Sequence, residues 1–348
     1  MKTAIKLTLA VLVLALFMAS PTQAAQPGQT MQWTFEAEAL ILHRNQSRGV
    51  PVVRTTGTAR IVLGTNNLNF GFRPGARFTL GFHPDPNNTV EAVYFGLHKF
   101  RDRATAKCLS DNCLTTVFAE GPGFFNFDDI ADDDLDEGSP LIRISYESRL
   151  HNVELNYKRH FMPWGNFTPT LLAGFRFVSV PERFNITAIG EDCCLGSSPS
   201  IASYKVETTN HLFGLQLGGD GVYRMGPVDI TLKAKAGLFA NRARQSTRYC
   251  SVDSPPNDCS DEHFKGSRRE TGAAGVADGG LYVTWNVIQN LALTAGYQIF
   301  YVAGLALAPE QMITSDSTSS NTKHDISKLN NSGSAFYHGP SVGARVSW

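Results

Sequence analysis

Residues 228–239 read Val-Asp-Ile-Thr-Leu-Lys-Ala-Lys-Ala-Gly-Leu-Phe, and this stretch decides the fold because its hydrophobicity alternates with a period of two. The even positions are all apolar, whereas the odd positions carry Asp229, Lys233 and Lys235. A helix would distribute these three charges around its axis, but a β-strand places them on one face. The stretch therefore predicts a strand with one apolar and one polar side.

The same alternation recurs along the chain. It is clear over residues 153–161, 170–177, 291–301 and 341–348, and weaker over 33–42, 76–82, 90–97, 213–218 and 281–285. A soluble β-sandwich also alternates. Here, however, the polar rows mix a few charges with Gly, Ser, Thr, Asn and Gln, and aromatic residues gather at the segment ends. Such aromatic girdles are typical of membrane barrels, so the pattern predicts an all-β, antiparallel transmembrane β-barrel.

The lengths of the connectors support this fold. We count about ten strands, at residues 33–43, 70–82, 90–98, 140–161, 168–178, 205–218, 226–239, 270–286, 290–302 and 340–348. The connectors between them alternate, the short ones being 83–89, 162–167, 219–225 and 287–289, and the long ones 44–69, 99–139, 179–204, 240–269 and 303–339. Short periplasmic turns opposite long external loops are typical of outer-membrane barrels. The alternative of twelve strands splits 140–161 and adds 58–64, which breaks this asymmetry.

The first residues predict an export signal. Lys2 and Lys6 precede an apolar run from Leu7 to Met18, and small residues follow up to Ala24. The apolar run is shorter than the roughly 20 residues that span a bilayer as a helix. We therefore expect residues 1–24 to be a signal peptide, and residues 25–348 to form a barrel in the outer membrane of a Gram-negative-type envelope.

The cysteines indicate disulfides, since the predicted export places them where disulfides persist. The six residues all fall in predicted external loops and are Cys108, Cys113, Cys193, Cys194, Cys250 and Cys259. Sequence alone does not fix their pairing, and we prefer the local pairs Cys108–Cys113 and Cys250–Cys259. Their spacing lacks the pattern of a zinc site. The acidic run at 128–137 lacks the spacing of a calcium loop and is read as a solvated loop. No metal and no other cofactor is predicted.

The polar rows are predicted to line the lumen. By strand phase they contribute Glu36, Glu38, Arg77, Glu154, Asn156, Lys158, Arg176, Asn210, Gln216, Asp229, Lys233, Lys235, Gln298 and Arg345. These side chains either line a pore whose charge sets its selectivity, or fill the interior as mutually satisfied ion pairs and amides. About eight strands give a filled barrel and about 16–18 an open porin, so ten strands favour the filled interior.

One segment invites an enzymatic interpretation. His338-Gly339-Pro340-Ser341 resembles the His-x-Ser arrangement of outer-membrane phospholipases, in which the serine is the nucleophile and the histidine its base. The segment has one residue too many, and Val342-Gly343 stands where those enzymes have Asn-Gly. His211 and His263 have no acidic partner in phase for a protease of the Asp/His type. We therefore expect no catalytic residues.

Short motifs distributed over most of the chain resemble one known family. They are Glu38-Ala39-Leu40, Gly75-Ala76-Arg77, Ser148-x-Leu150-x-x-Val153-Glu154-x-Asn156, Gly174-Phe175-Arg176, Asn210-x-x-x-Gly214-x-Gln216-x-Gly218, Lys235-Ala236-Gly237-Leu238-Phe239-Ala240-Asn241 and Gly296-Tyr297-Gln298. Their order and spacing are similar to those of the putative beta-barrel porin-7 family of bacterial outer membranes. The resemblance implies an outer-membrane barrel without catalytic residues to carry over.

The expected function is structural, or porin-like passive passage of small solutes. The alternative is a surface binding or adhesion barrel whose disulfide-braced external loops act above a filled lumen. Expected partners are outer-membrane lipid and lipopolysaccharide, and the barrel assembly machinery, which would recognise the C-terminal strand ending at Trp348. Without Lys2 and Lys6 the chain keeps 29 Lys and Arg against 31 Asp and Glu, a net charge of −2 that argues against a nucleic-acid partner. The sequence does not predict an oligomeric state.

Overall fold

A computed structural model describes most of the predicted barrel. The described residues are 32–45, 49–55, 60–107, 114–116, 141–189, 201–252, 262–312 and 329–348. The predicted signal peptide and the acidic run at 128–137 lie outside these ranges, as do all of the cysteines except Cys250. In the part of the chain that is described, no helix has the length and hydropathy to cross a membrane.

The described chain consists almost entirely of strands. In chain order these are β1 (Gln32–Asn45), β2 (Pro51–Thr55), β3 (Ile61–Gly64), β4 (Phe72–Asp85), β5 (Asn88–Lys107), β6 (Leu114–Thr116), β7 (Leu141–His160), β8 (Phe167–Ile189), β9 (Ile201–Met225), β10 (Val228–Val252), β11 (Glu262–Ile288), β12 (Leu291–Leu305) and β13 (Gly333–Ser347). Ten of them form a closed antiparallel barrel in the order β1-β4-β5-β7-β8-β9-β10-β11-β12-β13. The other three form a small sheet in the order β3-β2-β6.

The barrel closes where the first and last strands pair. Trp33 N–H donates to the Trp348 carbonyl at 2.8 Å, and Trp348 N–H donates back to Trp33 at 3.0 Å. The prediction of ten barrel strands is therefore confirmed. The alternative of twelve is wrong, because β7 runs unbroken from Leu141 to His160 and the extra segment, β3, belongs to the small sheet.

The half of the barrel that carries the short turns, which we call the lower half, has an outward band of exposed apolar side chains. On β10, Leu232 and Leu238 are 64% and 82% exposed, and on β9 Leu217 is 67% exposed. At the barrel end that carries the short turns, four tryptophan side chains are exposed: Trp33, Trp164, Trp285 and Trp348. A continuous apolar band with an aromatic girdle is the surface that a bilayer covers. This band defines the membrane-spanning part.

The strands are much longer than a membrane crossing requires. β10 has 25 residues and β11 has 27, whereas about 9–11 residues of tilted strand cross a bilayer. The turns at the lower end are tight; between β9 and β10, Gly226 adopts a φ of +61°, which favours glycine. The excess length therefore projects on the external side. The predicted loops at 179–204 and 240–269 are wrong in extent, and Cys250 lies within β10.

Outside the membrane the alternation reverses its polarity, and in β5 a bulge between Phe95 and His98 also shifts its phase. Within the band, β7 points Glu154 inward and Leu155 outward; above it, β7 points Ile144 inward and Arg143 outward. A strand surrounded by lipid needs an apolar outer face, whereas a strand surrounded by water needs an apolar inner one. The strands thus build a polar-lined membrane barrel that continues upward as a barrel with an apolar core.

Candidate functional site

The lumen is the candidate functional site, and at membrane level a network of charges fills its centre. Glu154 is almost fully buried and lies 2.7 Å from Lys235 Nζ and 3.2 Å from an Arg176 nitrogen. It also accepts hydrogen bonds from Asn152, Asn156 and Gln216 at 3.0, 3.0 and 2.8 Å. Four hydrogen-bond donors and the neighbouring Arg176 cation leave this carboxylate little capacity for an external ligand.

Arg176 has three further partners among the described residues. It donates to Asn152 at 2.6 Å and to Gln216 at 3.0 Å, and it pairs with Asp278 on β11. Asp278 is also 3.6 Å from Lys235 Nζ. Two cations and two carboxylates therefore balance one another at the centre of the barrel, as buried charges require.

Two smaller clusters complete the polar layer. Lys158 Nζ lies 2.7 Å from Glu91 and 3.4 Å from Asp220. Arg77 pairs with Glu38 at 3.0 Å and also donates to the Tyr282 hydroxyl and the Gln298 side chain. A cavity of about 60 Å³ lies between these clusters. It has room for only a few water molecules.

The remaining predicted lumen residues lie beside these three clusters or above them. Lys233 Nζ lies 4.8 Å from the ring centre of Tyr282, and Asp229 accepts a hydrogen bond from Asn286 at 3.0 Å. Asn210 lies higher, where it bonds the chain that follows β12. Arg345 is half-buried on the inner row of β13. The predicted residues lie on the inner rows of their strands. Asp220, Asp278 and Tyr282, which contact some of them, were not among those predicted.

Above the polar layer, contacting aromatic rings cross the lumen, and we call them the aromatic plug. The successive centroid distances are 5.2 Å, 5.8 Å, 5.5 Å, 6.1 Å, 5.0 Å and 5.9 Å, in the order Phe95, Phe300, Tyr337, Phe100, Phe70, Tyr146 and Phe184. All seven are at most 3% exposed. Rings in edge or tilted contact at these separations pack as in a protein core. Arg77 and Arg176 lie 5.5 Å and 5.0 Å from the Phe95 and Phe300 ring centres, which joins the plug to the polar layer.

One ion pair is buried inside the plug. An Arg44 guanidinium nitrogen lies 2.6 Å from Glu182, and both side chains are at most 1% exposed. Glu182 also accepts hydrogen bonds from Tyr146 at 2.7 Å, Ser148 at 3.1 Å and the Ala308 N–H at 3.0 Å. The sequence placed Arg44 and Glu182 in external loops, so this pair was not predicted.

Chain segments beyond the strands complete the closure. Val52 and Leu63 of the small sheet are buried in the same apolar cluster as the inner wall of the barrel. A short 3-10 segment, Ala308–Gln311, follows β12 and enters the same core. Asn210 fixes its approach, donating to the Ala306 carbonyl at 2.9 Å and accepting the Ala306 N–H at 2.8 Å.

The suggested hydrolase pair does not assemble. Ser341 faces the lumen and donates to Glu38 at 3.2 Å. His338 lies on the outer side of the same strand, where its Nδ1 is 2.6 Å from the Tyr297 hydroxyl and its ring contacts Phe72. The two residues point to opposite faces of β13, so His338 is not placed to act as a base for Ser341. Of the other histidines considered, His211 packs outward against Phe177.

Comparison with solved structures finds distant outer-membrane barrels. The outer-membrane protease OmpT from Escherichia coli matches with 10% identity and a TM-score of 0.45, covering 94% of this chain and 99% of its own. The translocator domain of autotransporter NalP from Neisseria meningitidis has 11% identity and a TM-score of 0.33, covering 99% and 96%. A major outer membrane protein from Thermus thermophilus has 11% identity and a TM-score of 0.28, covering 91% and 99%. Among curated proteins none matches this chain.

The comparison with protein families is decisive. The family described as putative beta barrel porin-7 matches residues 34–348, from the first barrel strand to the last residue. Together with the closed barrel, this match places the protein in the cell outer membrane. The chain belongs to the putative beta barrel porin-7 family.

Proposed function

We propose that this protein is a closed barrel that anchors and displays its external surface, and that it does not act as an open pore. The observation that carries the proposal is the aromatic plug, whose seven buried rings cross the lumen from β5 and β12 to β8. A solute would have to separate rings that already contact one another. Dense packing of this kind does not open without a cost comparable to that of a core cavity.

The polar layer supports the same proposal. Glu154, Arg176, Lys235 and Asp278 satisfy one another, whereas a selectivity filter presents charges to passing ions. The projecting barrel wall supports a display role, because β10 and β11 carry their external ends well above the membrane. The surface available to partners is therefore on the projection.

Porin-like passage of small solutes is the second candidate. The favouring observation is the cavity of about 60 Å³ on the lower side of the plug, which Glu91, Lys158 and Asp220 help to line. If the chain segments above it moved away, this cavity would become the charged inner vestibule of a narrow pore.

Planar-bilayer recording of the refolded barrel separates the two candidates. The closed barrel predicts no conductance steps from the wild-type protein, and steps from a triple Phe100→Ala, Phe300→Ala, Tyr337→Ala variant in which the plug is truncated. The matched control removes three outward aromatics, as Phe177→Ala, Phe213→Ala, Tyr297→Ala, and should stay silent. Regular wild-type steps that change when Lys233 and Lys235 are replaced by Gln would establish the pore and overturn the closed barrel.

A further inference from the structure

Positive charge covers the outward face of much of the projecting wall, from just above the membrane to the outer end of β5. Thirteen cations occupy the outward row of the external halves of β5 and β7 to β11, and we call them the basic belt: Lys99, Arg101, Arg103, Lys107, Arg143, Arg149, Arg183, Lys205, Arg242, Arg244, Arg248, Lys265 and Arg269. Among the side chains that the structure describes, the same rows contain two carboxylates, Glu147 and Glu207. The whole chain has 31 basic and 31 acidic residues, so the belt is a local segregation of charge.

The two carboxylates neutralise only part of the belt. Glu147 lies 2.8 Å from Arg149 and 3.3 Å from Lys99. Glu207 lies 2.7 Å from Arg183 and 2.9 Å from Lys205. Each carboxylate is thus shared between two cations, so among the described side chains the belt keeps a large positive excess.

Strand pairing aligns like charges instead of separating them. Arg244 on β10 is directly opposite Arg269 on β11. Four residues further along β10, beyond the pair Ser246 and Ser267, Lys205, Arg248 and Lys265 lie side by side on β9, β10 and β11. Like charges directly opposite one another are destabilising in a sheet. Among the described residues, Arg242, Arg244 and Arg269 form no ion pair. In the described part of the chain, these three arginines are therefore available to an external anion.

The lowest cations of the belt lie next to the membrane surface. On the outward row of β10, the lipid-facing Leu238 is followed by Ala240 and then by Arg242 and Arg244. These guanidiniums consequently lie at the level of the lipid headgroups of the external leaflet. In an outer membrane that leaflet is formed by lipopolysaccharide, whose headgroups carry phosphates, and guanidinium groups bind phosphates through paired, charge-assisted hydrogen bonds.

We propose that the basic belt is a lipopolysaccharide-binding surface, in which Arg242, Arg244 and Arg269 contact the phosphates of the lipid. The sugar headgroups would cover the projecting wall on the side of β5 to β11. On the other side, β12 ends at Leu305 and the belt is interrupted. The bound lipid would therefore surround part of the barrel and leave the side of β12, β13, β1 and β4 uncovered.

Binding of purified lipopolysaccharide to the refolded barrel in detergent tests this proposal. The belt variant is Arg242→Gln, Arg244→Gln, Arg269→Gln. The control, Arg60→Gln, Arg159→Gln, Arg224→Gln, removes the same charge from exposed residues outside the belt. The belt variant should lose about 10- to 100-fold in affinity, given the typical contribution of each cation near an anionic lipid surface, and the control should stay within about 2-fold. Because all six side chains are on the surface, both variants should fold, which heat-dependent gel mobility verifies.

Three results would overturn the proposal. The belt variant could bind lipopolysaccharide as tightly as the wild type does. Enzymatically dephosphorylated lipopolysaccharide could bind as well as the intact lipid, which would show that the phosphates are not recognised. Heparin, a soluble polyanion, could bind with equal affinity and displace the lipid, in which case the belt serves an external polyanion. Weaker binding of phosphatidylglycerol micelles than of lipopolysaccharide would support recognition of the headgroup.

Discussion

The inner and outer walls of this barrel differ in how their charged side chains are paired, although the same strands form both walls. Inside, Arg176 and Lys235 are matched by Glu154 and Asp278 within one connected network. Outside, the described outward rows hold the thirteen cations of the basic belt and two carboxylates, Glu147 and Glu207. Two consecutive residues of one strand, such as Glu182 and Arg183, therefore lie in two different electrostatic environments.

The difference follows from solvation. Moving a charge out of water costs several kcal/mol per ion, so a charge in the lumen is tolerated only with a partner of opposite sign. A charge on the projecting wall keeps its hydration and is screened by salt, so repulsion between neighbours is modest. Pairing is thus obligatory inside and optional outside, which leaves the outer wall free to carry a charge pattern suited to binding.

The largest contrast should appear when one partner is removed from each kind of ion pair. Glu182→Ala leaves Arg44 buried among aromatic rings without its carboxylate, and should cost about 3–5 kcal/mol of unfolding free energy. Glu207→Ala, in the exposed pair with Arg183, should cost at most about 1 kcal/mol. Urea unfolding of each variant in lipid vesicles, followed by tryptophan fluorescence, measures both.

A double variant shows whether Glu182→Ala is unstable because Arg44 is left buried without a partner or because packing is lost. Arg44→Met combined with Glu182→Leu replaces the buried pair by apolar side chains, and should recover most of the stability that Glu182→Ala loses. If the double variant is as unstable as the single one, the cost comes from lost packing, and the comparison between inner and outer charges does not explain it.

An intermediate effect should come from packing at two glycines. A Cβ at Gly174, on the inner wall, would lie 2.2 Å from Asn156 Oδ1 and 2.5 Å from the Leu155 carbonyl oxygen. Gly174→Ala should therefore displace the hydrogen bonds around Glu154 and cost about 1–3 kcal/mol. A Cβ at Gly275, on the outer wall, meets nothing within 4 Å, so Gly275→Ala should change stability by less than about 0.5 kcal/mol. Equal effects in the same unfolding assay would contradict a tightly packed lumen beside an open outer face.

The fold and the lumen face of the membrane-spanning part could be predicted because one rule governs every strand there. The alternation at 228–239 assigns Lys233 and Lys235 to the inside, and the short turns fix the strand count. Neither inference requires knowledge of contacts between distant residues. The family resemblance, drawn from short motifs such as Gly174-Phe175-Arg176, was confirmed by the match over residues 34–348.

The projecting half was not predicted because its alternation reverses polarity. The rule that apolar residues face outward would place Ile144 on the outer wall, whereas it lies on the inner wall. Arg44 and Glu182 fall outside the strands that the rule predicts. Asp278 was not predicted to face the lumen for another reason, because it follows a stretch rich in Gly and Ala in which the alternation is weak. The partner of a lumen charge also depends on which strands become neighbours around the barrel, and no local pattern in the sequence encodes that closure.

The smallest expected effect concerns Glu147, an acidic residue within the basic belt. Its partial burial raises the pKa of this carboxyl, but hydrogen bonds from Arg149 and Lys99 outweigh burial and hold the pKa below its ordinary value. A carboxyl whose pKa is lower in the folded state stabilises the fold above its unfolded pKa of about 4.3, and this contribution is lost as the pH falls through the folded pKa. Wild type should therefore exceed Glu147→Gln by at most about 1 kcal/mol at pH 7, with the difference vanishing in acid. Urea unfolding of both proteins from pH 7 to pH 2 measures it, and a difference independent of pH would show that Glu147 contributes by packing and not by charge.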